Sequence, residues 1–100
     1  MDVMKEKTKE KLTGVEVFVL HRILRVIGYG ESYTIIELDE SRDGIRRVSD
    51  GKQFDLKDGI EELSKVIPSD EILREEHWFN EPDIEIWNSI RNRFNSEETK

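Results

Sequence analysis

Apolar and β-branched residues accumulate between Val15 and Ile27, where Val15, Val17, Val19, Ile23, Val26 and Ile27 lie close together. That density favours a strand, bent or broken near His21-Arg22 because one straight strand of that length would be unusual. A helix competes. Thr13 and Glu16 have capping-box spacing, and Gly28 can end a helix in a left-handed conformation. On β-branched density the segment reads as strand. Tyr33 to Asp39 reads as a second strand after the turn Gly28–Ser32, and Ile45 to Ser49 as a third after the turn Glu40–Gly44. Asp50-Gly51 has the chemistry of a type I′ hairpin turn, with a return strand Lys52 to Leu56. A two-residue loop pairs Ser49 with Lys52, sets Arg46 opposite Asp55 and Ile45 opposite Leu56, and puts Ile45, Phe54 and Leu56 on one buried face.

After Leu56 the hydrophobic period changes from two to about 3.6. Asp58 can cap a short helix whose inner side is Ile60, Leu63 and Ile67, and Pro68 stops it. Ser69 caps a second helix, Asp70 to about Trp78, carrying Ile72 and Leu73. A third opens at Asn80-Glu81-Pro82, where a proline in the first turn costs no hydrogen bond. Its stripe is Ile86, Ile90 and Phe94, flanked by Ile84 and Trp87.

Strands first and helices afterwards imply an α+β domain: an N-terminal antiparallel β-meander, as a small SH3-like barrel or an open sheet, then two to three short C-terminal helices. Residues 1–12 read as a charged mobile tail. Residues 13–94 form one domain, with strands over about 15–56 and helices over about 58–94, and residues 95–100 are a polar tail. A chain of 100 residues suits a single core.

Composition narrows the chemistry. The chain has no cysteine, which excludes disulfides, a thiol nucleophile and thiolate metal sites. The segment richest in apolar residues is too short and too charged to span a bilayer, and no export signal is visible at the N-terminus, so a cytoplasmic protein is expected. The net charge of −7 disfavours general binding to a nucleic-acid backbone. That charge is uneven. Residues 13–49 are nearly balanced and hold five arginines, whereas residues 69–85 carry seven acids against the single Arg74.

Neither His21 nor His77 has a second histidine at ligand spacing. His21, among apolar neighbours, is expected to be partly buried, and a metal-dependent activity around His77, with Glu75, Glu76 and Glu81 nearby, trails the other readings. The serines lack a nucleophile-elbow pattern. No catalytic residue, metal or cofactor is assigned, and the chain is read as a non-enzyme.

Two surface readings compete. The first takes Asp70, Glu71, Glu75, Glu76, Glu81, Asp83 and Glu85, with Trp78 and Phe79 as aromatic anchors, as a surface that docks on a basic protein partner. The domain would then regulate or inhibit that partner. If the partner were a nucleic-acid-binding enzyme, the carboxylates would imitate phosphate charge, as in a phage-type antagonist. The second reading places Arg22, Arg25, Arg46 and Arg47 on one side of the sheet, with Tyr29 and Tyr33 stacking on bases, as a small-barrel nucleic-acid binder. Oligomeric state is not legible.

Overall fold

The computed structural model describes residues 10–77 and 79–95. The element order is α1 (Gly14–Val26), β1 (Tyr33–Asp39), β2 (Arg42–Arg47), β3 (Gln53–Asp55), α2 (Leu56–Ser64), α3 (Asp70–Glu76) and α4 (Glu81–Asn95). The fold is α+β, with an open three-stranded antiparallel sheet in the order β1-β2-β3 rather than a closed barrel.

The first correction concerns Val15–Ile27, which is helix. Thr13 Oγ1 accepts from the Glu16 N–H at 3.2 Å, and the Glu16 carboxylate accepts from the Thr13 N–H at 2.9 Å, completing the capping box. At the other end Gly28 has φ +96°; its N–H donates to the Arg25 carbonyl, and the Tyr29 N–H donates to the Leu24 carbonyl. That pair of bonds is a Schellman ending. β-branched residues cost a helix only tenths of a kcal/mol each, while helical spacing buries Val19, Leu20, Ile23 and Leu24 together. Each such burial is worth roughly 1.5–3 kcal/mol, so tertiary packing overrides local propensity.

β1 has its expected bounds. It pairs with β2 through Ile35 opposite Ile45, and the register shifts between Glu37 and Asp39. The second correction concerns the β2–β3 register: Ile45 lies opposite Phe54, Arg46 opposite Gln53 and Gly44 opposite Asp55. The Arg47 N–H donates to the Lys52 carbonyl at 2.8 Å, and the Gly51 N–H donates back to the Arg47 carbonyl at 2.8 Å. The loop therefore holds four residues, Val48–Gly51, and only its last position needs the left-handed conformation of Gly51, φ +73°. No Arg46–Asp55 pair forms. Asp55 instead caps α2, its carboxylate accepting from the Asp58 N–H at 2.9 Å, so the cap stands three residues before the expected Asp58.

α4 is the centre of the packing, touching α1, α2 and α3, while α2 also lies on β2 and β3. The fully buried side chains are Leu20, Ile23 and Leu24 from α1, Ile45 from β2, Ile60 and Leu63 from α2, Leu73 from α3, and Ile84, Trp87 and Ile90 from α4. On α4 the inner stripe runs Ile84, Trp87, Ile90 and Phe94, with Ile86 only partly buried. Residues 10–12, expected in a mobile tail, are docked. Leu12 is buried, its N–H donates to Asp43 Oδ2 at 2.8 Å, and the Asp43 N–H donates to the Glu10 carbonyl at 2.9 Å. Arg93 of α4 holds the same region by donating to the Lys11 carbonyl and to Glu16. Residues 1–9 and 96–100 of the expected tails lie outside the described residues.

Candidate functional site

The acidic residues of 69–85 fall into two groups. Glu81 is tied to Arg74 through both carboxylate oxygens, which fastens α3 to the start of α4. Asp83 lies 3.8 Å from Arg22 of α1, and Asp70 accepts from the Asn88 side-chain amide at 2.7 Å. These three serve internal contacts. Glu71, Glu75, Glu76 and Glu85 are exposed and pair with no cation among the described residues. Helical spacing sets Glu71 beside Glu75 and Ile72 beside Glu76 on the outer side of α3, whose inner side is Leu73. Ile72 is 44% exposed, an isolated apolar side chain among carboxylates.

The aromatic anchors differ from expectation. Phe79 is 4% exposed and belongs to the core, with the Arg22 guanidinium 5.9 Å from its ring centroid, so it offers no contact to a partner. An aromatic just after a short acidic helix reads equally as anchor or plug, and burial decides for plug. Trp78 lies outside the described residues. Ile72, which sequence reading had not selected, takes the exposed apolar position; its marker is the i, i+4 relation to Glu76.

The arginines do not share a sheet face. Arg22 and Arg25 are on α1, exposed Arg46 is on β2, and Arg47 is held in a polar network. Arg47 donates to both Asp50 oxygens, at 3.1 and 2.8 Å, and to Glu62 at 2.9 Å, while the Tyr33 hydroxyl donates to the same Glu62 oxygen at 3.2 Å. The guanidinium beside Asp50 holds that carboxyl down at about 2. For Glu62, burial works against the charge, but the bonds from Arg47 and Tyr33 outweigh it and lower the carboxyl below its ordinary range. Burial, aided by Glu62, pushes the Tyr33 phenol up. Tyr33 is thus a core residue, and only Tyr29 of the expected stacking pair is exposed. The cleft of about 500 Å³ beside this network mixes Arg47, Lys52 and Lys65 with Asp58, Glu61 and Glu62. With its charges so interleaved, it has no cationic excess to hold a phosphate chain.

The outer side of α1 carries features the strand reading concealed. Val15, Phe18 and Val26 are 60%, 64% and 48% exposed. Phe18 and Val26 join Val17, His21, Arg22 and Arg25 around an open groove of about 620 Å³. His21 is exposed, not partly buried as expected, because the helical twist turns it away from the Leu20–Leu24 side. Among the described residues no cluster of three acids and histidines could hold a metal ion, and no helix is long and apolar enough to cross a membrane. Comparison of the chain with protein-family models, with curated proteins and with solved structures finds no match.

Proposed function

We propose that the chain is an acidic protein–protein interaction domain that docks on a basic protein partner through the outer side of α3 and the start of α4. The observation that carries this reading is the un-neutralised set Glu71, Glu75 and Glu76 on the helix of the exposed Ile72, with Glu85 likewise exposed and unpaired on α4 among the described residues. Neighbouring like charges on one helix oppose folding slightly, and the cation of that helix, Arg74, is already engaged with Glu81. A cationic surface on a partner would relieve that repulsion, and the field of four carboxylates would speed the encounter. Ile72 supplies the apolar contact that such a docking surface needs at its centre. By covering a cationic surface the domain would regulate or inhibit its partner. Where that surface normally receives nucleic acid, the carboxylates stand where phosphates would.

A binding survey against purified basic nucleic-acid-binding proteins, with an unrelated basic protein as control, tests this reading. Selective binding is expected, weakening steeply between low and physiological salt, competed by duplex DNA, and reduced at least about tenfold by Glu75→Lys with Glu76→Lys. Equal binding to every basic protein, or affinity untouched by the double reversal, would overturn it.

A further inference from the structure

We infer that the outer side of α1 is a second docking surface, which takes an acidic amphipathic helix from a separate protein. The face is defined by position. Val15, Phe18, Arg22 and Val26 follow one another at helical spacing on the side opposite buried Leu20, Ile23 and Leu24, and the groove beside them is lined by Val17, His21 and Arg25. Three large hydrophobic side chains on one helix, each about half exposed or more, form a patch that an isolated domain gains nothing by showing to water.

Charge selects the occupant. The cations beside the apolar residues are Arg25, in no ion pair among the described residues, and Arg22, whose guanidinium stays partly exposed although Asp83 of α4 stands 3.8 Å from it. No carboxylate lines the groove itself, since Glu16 is turned inward onto Arg93. The groove is therefore a positive, apolar strip on a chain of net charge −7. Two-fold pairing of α1 with a second copy would bring four arginines into one interface against only the two Asp83 carboxylates beside Arg22. The α3 surface of another copy has the right sign but is only seven residues long with one exposed hydrophobic residue. Gly14 to Val26 spans about 18 Å at 1.5 Å per residue, which calls for a three- to four-turn helix with several apolar positions. The segments flanking the described residues do not fit. Residues 1–9 carry three lysines against two acids, and residues 96–100 contain no apolar side chain. What fits is a helix with apolar residues at i, i+4 and i+7 flanked by Asp or Glu, laid into the groove with its acids toward Arg22 and Arg25.

Selection of helical peptides from a displayed random library against the full chain tests the inference. Sedimentation velocity of the chain alone is run alongside. Peptides whose binding falls at least about tenfold on Phe18→Ser, and again on Arg25→Glu, are expected to be acidic with that apolar spacing. Both side chains are exposed, so the variants should keep the wild-type unfolding midpoint, and that is measured first. The inference is overturned if no selected peptide is sensitive to Phe18→Ser, or if the sensitive ones are neutral or basic. It is equally overturned if the chain alone forms a dimer that Phe18→Ser dissociates. Neither variant touches α3, so failure here leaves the acidic-surface reading to its own test.

Discussion

Replacing Gly59 by alanine should destabilise the fold although the same change ordinarily strengthens a helix. Gly59 is buried within α2 beneath Ile45 of β2. A Cβ there would stand 2.8 Å from Ile45 Cβ and closer still to Ile45 Cγ1. Ile45 is fully buried and branched at Cβ, so its clashing atoms can move only if β2 or α2 shifts. An alanine in a helix interior gains about 1 kcal/mol over glycine, while forcing an extra carbon into a close-packed site costs roughly 1–3 kcal/mol and sometimes more. With the overlap falling on atoms fixed to the strand, the upper part of that range applies, and the net loss is about 1–2 kcal/mol. At a urea m-value of about 2 kcal/mol/M, in the middle of the range for small proteins, the midpoint should fall by roughly 0.5–1 M with m unchanged. Gly14→Ala is the matched control. It sits at the start of α1 with nothing within 4 Å of an added Cβ, so its midpoint should hold or rise. Urea unfolding followed by far-ultraviolet circular dichroism reads both. A Gly59→Ala protein as stable as wild type, or a Gly14→Ala protein that loses as much, would refute the packing of α2 on the sheet.

Thr13→Ala should cost about 1 kcal/mol by deleting half of the capping box, with Thr13→Ser close to wild type, as measured by denaturant midpoint. Asp50, held at about 2 by Arg47, stabilises the folded chain above its ordinary value of 3.8, and that contribution disappears as pH falls through about 2. Asp50→Asn, which keeps an oxygen for the Lys52 N–H, should therefore be less stable than wild type at neutral pH and converge with it toward pH 2; a constant gap across a pH series would contradict this. Leu73→Ala should cost about 2–5 kcal/mol and raise amide exchange in α3 first, because Leu73 is the buried residue of that helix.

What was legible in the sequence followed from chemistry confined to neighbouring residues. Ser69 caps α3, Tyr33–Asp39 is a strand, and Ile60, Leu63 and Ile67 are buried, each from a local cap or period. The misreadings arose where distant contacts outvote local preference. The β-branched run Val15–Ile27 follows its capping box and Schellman ending because α4 supplies a partner for its apolar side. The β2–β3 register moved because the loop closes on Arg47, whose side chain is anchored by Asp50 and Glu62. Asp55 is spent on capping α2 and is lost to cross-strand pairing. The acidic character of 69–85 was plain, but only the fold separates Glu71, Glu75, Glu76 and Glu85 from the acids engaged by Arg74, Arg22 and Asn88. Phe79 and Phe18 are equally apolar in the sequence. One, in the connection between α3 and α4, fills the core and the other faces water because of its phase on α1.

The most direct measurement is an amide NMR footprint, in which the isotopically labelled chain is titrated with the basic protein that binds it most tightly at physiological salt. Shifts confined to Asp70–Glu76 and Glu81–Glu85, reversed by raising the salt, are the expected outcome. Shifts centred on α1 or on the sheet, or a footprint that persists unchanged in high salt, would contradict the assignment of the acidic surface as the binding site.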